Sequence, residues 1–311
     1  MSLPVLSSLS VPLSHWGVIR AVGADAAQFL HGQLTQDVQS LGPHQARLAG
    51  YCSAKGRLLA SFVIWKPSDN EVLLACHASV LPATLKRLSM FVLRAQCKLS
   101  DASAEVTLTG VSGAAAQAAT QDLPTWGHVA DEHGTWIRLP GVAGIARAWR
   151  VTRTAAPQPA DPLTLAAWQR LEVDSGIVTI EAATVDQFVP QMLNFELIGA
   201  VNFQKGCYPG QEVVARSQYR GTTKRRTLLF AAEAPIVAGL EVFHSADPTQ
   251  PAGLVACAAP APDDAAPLTH HALIEIKLAA LDDGTLHLGV PDGALLTRCP
   301  MPYEVLNTET A

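Results

Sequence analysis

One run, Asn202-Phe203-Gln204-Lys205-Gly206-Cys207-Tyr208-Pro209-Gly210-Gln211-Glu212, constrains this chain more than any other stretch. Pro209 presets φ for the first central position of a turn, and Gly210 supplies the positive φ that a type II turn needs next. Gln211 to Arg216 then reads as the start of a short helix, with Glu212 in its positive first turn. Cys207 stands just ahead of that helix, with Lys205 close by, and both neighbours favour a thiolate. A Cys-Tyr-Pro-Gly stretch alone is most simply a tight turn with a packed cysteine, so the flanking residues decide how to read it.

The chain has 311 residues, 49% of them hydrophobic, which is ample for a sizeable core and for two or three domains. A net charge of -5 gives no global basic field to draw it to nucleic acid or lipid. Met1 to Trp16 holds no Lys or Arg and no long apolar run, which argues against a targeting segment and leads to the expectation of a cytoplasmic protein. No apolar stretch is long enough to span a bilayer. The six cysteines (Cys52, Cys76, Cys97, Cys207, Cys257, Cys299) form no C-x-x-C pair and are irregularly spaced. That disfavours a structural zinc site, a disulfide framework and an iron–sulfur cluster held by this chain alone. The histidines show no ligand spacing, so no residue is assigned to a metal.

Val18 to Val22 reads as a strand ending at Gly23. Asp25 reads as the cap of a helix carrying Leu30, Leu34, Val38 and Leu41, stopped by Gly42-Pro43. Arg47 to Tyr51 and Leu58 to Trp65 form a hairpin around Cys52 to Gly56, and Glu71 to His77 is a further strand. Pro82 opens a helix with Leu85, Leu88 and Val92 on one face, and Val106 to Val111 is again a strand. Gly113 to Thr120 is Ala-rich and weakly specified. Ala155 to Pro162 reads as a linker, with Asp161 capping a helix that begins at Pro162. After Arg226 the pattern becomes short apolar runs between turns: Thr227 to Ala231, Gly239 to His244, Ala252 to Ala256, His271 to Leu278 and Leu286 to Leu288. Ala259 to Pro267 is a loop among them. The alternation predicts an α+β body with antiparallel sheet, followed by a small antiparallel β domain, a sandwich or barrel.

Lys205-Gly206-Cys207-Tyr208-Pro209-Gly210-Gln211-Glu212 resembles the signature of the folate-binding YgfZ-like family. These proteins are relatives of the glycine-cleavage aminomethyltransferase, or T-protein, and are linked to iron–sulfur cluster assembly or repair. Gly23 to Val38 looks like the family's first helix, Tyr51 to Arg57 its hairpin, and Arg220 to Arg226 its downstream basic run, all in the family's order. The resemblance implies a GcvT-like body of two α+β halves (1–115 and 116–226) and a C-terminal β-barrel (227–311). It implies tetrahydrofolate as cofactor.

Leu165, Trp168 and Glu172 fall on one face of the helix that starts at Pro162, so two large apolar groups are followed by a carboxylate. Late in a helix the macrodipole disfavours an anion, so Glu172 needs strong donors. A pterin's exocyclic amine and ring N–H offer such a pair; the alternative is a salt bridge to a neighbouring Arg, and spacing alone leaves the two level. Arg170-Leu171-Glu172 resembles the T-protein motif whose Glu holds the pterin, which favours folate. The basic run of Lys205, Arg216, Arg220, Lys224, Arg225 and Arg226 suits the carboxylates of a glutamyl tail, with phosphate or RNA contact and a solvated surface as alternatives. Asp37 could be merely solvated, but the resemblance to T-proteins, where an Asp in a similar Thr-x-Asp-Val stretch lines the folate cavity, makes it an expected contact. Asn194 and Glu196, just upstream of the box, Tyr208, Gln211 and Glu212 within it, and Arg220 and Arg225 of the basic run complete the expected folate contacts, and Cys207 is the candidate functional thiol. Where T-proteins carry a paired acid after the hairpin, this chain has Ala60 and Ser61, neither of which can act as a carboxylate base.

Three functions follow. The first is a tetrahydrofolate-binding accessory factor in iron–sulfur cluster assembly or repair, whose partners are folate and iron–sulfur assembly proteins or client enzymes, tRNA-modifying ones included. The second is a folate-dependent one-carbon transferase or demethylase, which the missing acids count against in its aminomethyltransferase form. The third is an RNA-binding tRNA-modification factor, which the acidic balance makes the weakest.

Overall fold

The computed structural model describes residues 8–153, 159–220, 223–260 and 270–305. After a short β1 (Ser10–Pro12), the strands β2 (Trp16–Val22), β3 (Ala46–Cys52), β4 (Leu58–Ser68), β5 (Glu71–His77) and β6 (Lys98–Asp101) build an antiparallel sheet in the order β3-β4-β5-β2-β6. Its strands are apolar on both faces. In β4, Ala60, Phe62 and Ile64 point to a core with Phe29 and Leu30 of α1 (Ala26–His31) and Leu81 and Leu88 of α2 (Leu81–Met90). Val63 and Trp65 point the opposite way, as a two-residue side-chain period requires.

That opposite face meets a second antiparallel sheet, β1-β7-β10-β9-β8. It contains β7 (Thr107–Ser112), β8 (His128–Asp131), β9 (Gly134–Val142) and β10 (Ile145–Thr152). Ile137, Leu139, Trp149 and Val151 share one buried cluster with Val63 and Trp65 of the first sheet. The Ala-rich stretch folds as α3 (Ala114–Thr120), whose Ala116 packs on Ala148 behind β10. Both β1 and β7, drawn from the first 115 residues, belong to this second sheet.

Helix α4 (Pro162–Asp174) starts as the sequence predicts: the Asp161 carboxylate accepts the Thr164 backbone N–H at 2.8 Å, with Pro162 at the first helical position. After two 3-10 turns (Ala182–Thr184 and Pro190–Leu193) comes α5 (Gln211–Arg220). The C-terminal unit is a curled antiparallel sheet, β15-β12-β13-β14-β11-β16. Its strands are β11 (Arg225–Ala232), β12 (Glu241–His244), β13 (Asp247–Ala258), β14 (His270–Lys277), β15 (Leu286–Leu288) and β16 (Thr297–Cys299). One face, with Phe230, Val242, Val255, Ile274 and Ile276, closes on itself, while Leu229, Ala256 and Leu273 join the large central cluster.

One expected helix is much shorter than its periodicity. α1 ends at His31 with Gly32 as its cap, and Leu34, Val38 and Leu41 are buried from turns instead. Tertiary hydrogen bonds win here. The Thr35 hydroxyl donates to Ala200 O and accepts the Gly50 N–H, each at 2.7 Å, and the Gln36 amide donates to Gly199 O at 2.6 Å. Asp25 leaves its own helix uncapped and accepts the Gln96 N–H at 2.7 Å. The expected loop from Ala259 to Pro267 lies almost wholly outside the described residues.

Candidate functional site

Between the two N-terminal sheets, at the C-terminal end of α4, lies a narrow cavity partly open to solvent. Its walls are mostly apolar and aromatic: Trp16, Phe62, Trp126, Leu139, Trp149 and Phe195 among them. Two ionisable side chains line it, Glu172 and Arg147.

Glu172 is held by the protein itself. Its Oε1 accepts the indole N–H groups of Trp16 at 2.9 Å and Trp168 at 2.8 Å, and its Oε2 lies 2.7 Å from His15 Nε2. The i,i+4 spacing of Trp168 and Glu172 on α4 produces one of these bonds directly. Burial alone would raise the Glu172 pKa. The charge and hydrogen bond of His15, the charge of Arg147 and the Trp16 bond outweigh it, so the carboxyl stays below its ordinary value. The sequence-based choice between pterin and a neighbouring Arg omits this outcome: the donors are two tryptophans and a histidine, while Arg170 pairs with Asp174 at 2.8 Å. A carboxylate has about four lone-pair sites, so roughly one remains, on Oε2.

Arg147 is the unusual group. It is 4% exposed, and among the described residues its Nε has no partner and its only hydrogen bond is a long one from Nη1 to Pro140 O, 3.5 Å. Its guanidinium stacks 5.0 Å over the Trp168 ring. Burial pushes its pKa down to about 10 against the pull of Glu172 and Asp174. Two residues along the same strand, Trp149 also buries an indole N–H with no acceptor among the described residues. Buried polar groups are normally paired, so two orphaned donors in one wall mark a place for an acceptor.

The Lys-Gly-Cys box lies elsewhere and is built differently. Gly210 takes φ +77°, and a Cβ there would sit 2.3 Å from Ser53 O and 2.6 Å from Gly56 Cα. The Pro-Gly turn therefore packs backbone to backbone against the β3–β4 hairpin, and only glycine fits. Lys205 is buried, and its Nζ donates to the carbonyls of His31 and, at 2.8 Å, Leu34, capping the end of α1, with the Tyr208 ring 4.9 Å away. Burial lowers its pKa to about 8, while Asp37 and Cys207 pull it back up. Asp37 lies in the turn after α1, 2.9 Å from His31 Nδ1. Partial burial works to raise its pKa, but hydrogen bonds from Ser40 and the charge of His31 bring it down to about 2. Cys207 is exposed, whereas Cys52, Cys76 and Cys257 are buried. Tyr208 is buried, Gln211 half-buried and Glu212 exposed.

The remaining expected contacts point to the C-terminal sheet. Asn194, in a left-handed conformation, donates to Thr227 O at 2.8 Å. Glu196 pairs with Arg226, and Arg225 grips Glu275 through two bonds, one of them 2.8 Å. Between Asn194 and Glu196, it is Phe195 that reaches the cavity. None of Asp37, Asn194, Glu196, Lys205, Cys207, Tyr208, Gln211, Glu212 or Arg225 lines the Glu172 cavity, so the expected residues divide among a cavity, the Lys-Gly-Cys box, two ties to the C-terminal sheet (Asn194 and Glu196) and one pair within that sheet (Arg225). The side chain of Arg220 lies outside the described residues.

Residues 10–155 match the GCVT N-terminal domain. A tRNA-modifying protein YgfZ of Enterobacter sp. (strain 638) is 32% identical over 239 residues, covering 72% of each chain. The chain belongs to the YgfZ family. A second YgfZ, from Sodalis glossinidius (strain morsitans), is 28% identical over 310 residues, 95% of this chain and 93% of its own. In structure, the aminomethyltransferase T of the glycine cleavage system from Bartonella henselae superimposes with a TM-score of 0.71 at 15% identity, over 94% of this chain and 86% of that one, so the two share a fold.

In this YgfZ-family chain, Ser61 lines the cavity on β4 and its hydroxyl accepts the Ile180 N–H at 2.9 Å; Ala60 faces the other core. The cavity wall thus presents an alcohol and no carboxylate at the end of the hairpin. Arg147 and Trp149 had no place among the expected site residues. Among the described residues, no three His, Cys, Asp or Glu side chains are grouped to hold a metal ion, and no helix is long and apolar enough to cross a membrane.

Proposed function

We propose that this chain is a tetrahydrofolate-binding accessory protein that supports iron–sulfur cluster assembly or repair, and through it iron–sulfur enzymes such as those that modify tRNA. The observation that carries the folate reading is the cavity itself. A fixed carboxylate, Glu172, shares an aromatic enclosure with an unpaired guanidinium, Arg147, and a free indole N–H, that of Trp149. A folate brings N–H donors for Glu172, oxygen acceptors for the orphaned donors and a flat ring for Trp16 and Trp149. When bound, a tetrahydrofolate supplies a carrier for a one-carbon unit; the chain's own residues orient it and keep water from it.

The names of the relatives point to tRNA modification. An indirect route is favoured because Arg225 and Arg226, the end of the basic run, are neutralised by Glu275 and Glu196, on a chain of net charge -5. The alcohol of Ser61 in place of an acid argues against aminomethyl transfer. Cys207, exposed beside the fixed Lys205, is the thiol best positioned to meet a client protein.

Calorimetric titration with tetrahydrofolate tests the first step. Glu172→Ala is expected to weaken binding by about 1–3 kcal/mol, because it removes the ligand's acceptor and strands the donors of Trp16, Trp168 and His15. Unchanged affinity in a folded variant sinks the assignment. Iron–sulfur enzyme activities in cells lacking the protein test the second step, and no change there would leave only a folate-binding protein.

A further inference from the structure

We propose that Arg147, assisted by Trp149, is the residue that reads the 4-oxo group of a bound pterin and so sets the cavity's preference among pteridines. This rests on the folate reading above and adds to it a specificity determinant on β10.

Arg147 and Trp149 are separated by one residue on a strand, so their side chains project to the same face, and both line the cavity. Both bury a nitrogen donor that no atom of the described residues accepts, Arg147 Nε and Trp149 Nε1. The guanidinium forms no ion pair with any carboxylate among the described residues, although it is nine-tenths buried. A buried cation left in that state is costly unless something supplies oxygen. The opposite requirement sits in the same enclosure: Glu172 Oε2 keeps an unused acceptor site next to its His15 bond. An acceptor facing a pair of donors matches one chemical edge, a ring N–H adjacent to a carbonyl. The 2-amino-4-oxo pteridine ring carries that edge. A 2,4-diamino ring does not, because its 4-position donates where Arg147 and Trp149 also donate.

Folic acid and aminopterin share oxidation state, linker and glutamyl tail, and differ at the 4-position. Wild-type protein is expected to bind folic acid at least about tenfold more tightly than aminopterin, since a site built around a hydrogen bond rejects the analogue that cannot make it. Arg147→Met and Arg147→Lys are each expected to weaken folic acid about 10–100-fold while leaving aminopterin within about threefold, so the preference collapses. Trp149→Phe keeps one aromatic ring and removes the N–H together with the rest of the indole; with that donor gone it is expected to cut the preference about threefold, whatever both ligands lose in common, which keeps the test available if the Arg147 variants do not fold. An equal loss for both ligands in the Arg147 variants would assign Arg147 to the shared glutamyl carboxylates and overturn the proposal. So would a preference unchanged in folded Arg147 variants or in Trp149→Phe. If the wild type binds neither folic acid nor tetrahydrofolate, the folate reading fails and this inference with it; if it binds them without preference, this inference fails alone.

Discussion

In the Lys-Gly-Cys box the protein satisfies its own polar atoms, whereas in the cavity it does not. Lys205 spends its ammonium on the carbonyls that end α1, and the Pro-Gly turn locks onto the β3–β4 hairpin through glycine-to-glycine contact. Arg147 and Trp149, by contrast, bury donors that nothing among the described residues receives. The first pattern is that of a scaffold with Cys207 and Glu212 exposed at its surface; the second is the pattern expected of a ligand site. A motif's chemical density therefore does not locate the binding site. Unsatisfied donors that line a cavity, as Arg147 and Trp149 do, are the better guide.

Gly210→Ala should give the largest effect. Its Cβ would fall 2.3 Å from Ser53 O at a φ of +77°, so a loss of roughly 2–4 kcal/mol in denaturant unfolding is expected. A loss below about 0.5 kcal/mol, the scale of an ordinary surface change, would mean that box and hairpin are not in contact. Lys205→Met should lower stability by about 1–3 kcal/mol by orphaning two carbonyls, yet leave folate affinity unchanged. A weakened affinity with little loss of stability would merge box and cavity into one site and break the comparison.

Glu181 sharpens it through pH. Burial raises its carboxyl from 4.5 to about 7, with the charge of His15 opposing and that of Glu172 adding to the shift. The folded state then holds the proton more tightly than the unfolded chain. Its contribution is present in full below about pH 4.5 and is lost as pH rises through about 7. Glu181→Gln should therefore gain stability relative to wild type across that window, by roughly 1–3 kcal/mol at its top. A pH-independent difference would place the titration elsewhere. Cys207→Ser should change stability least, within about 0.5 kcal/mol, because the side chain is exposed. Alkylation should reach Cys207 well before Cys52 and Cys76, whose thiols burial pushes up to about 12. Equal rates would remove Cys207 as the accessible thiol.

The sequence carried the scaffold further than the site. The Pro-Gly turn, the Asp161 cap and strands β2 to β5 are local signals, and the structure keeps them. The helix drawn through Leu34, Val38 and Leu41 failed because Thr35 and Gln36 bond to residues more than 160 positions away, which periodicity cannot register. Glu172 was legible from its helix face, but its partners His15 and Trp16 come from the other end of the N-terminal body. Arg147 was not legible at all. Its hairpin turns through Ala143 and Gly144 at φ 48° and 80°, and an alanine in the first left-handed position hides the usual Asn-Gly signal. An arginine on a strand is ordinarily solvated, and only packing reveals this one to be buried.

The structure of the protein with tetrahydrofolate bound tests the comparison most directly. The account predicts the pterin ring in the cavity between the two N-terminal sheets, within hydrogen-bond distance of Glu172 and Arg147, with Lys205 still on the carbonyls of His31 and Leu34. A pterin seated at the Lys-Gly-Cys box, with the Glu172 cavity untouched, would contradict it.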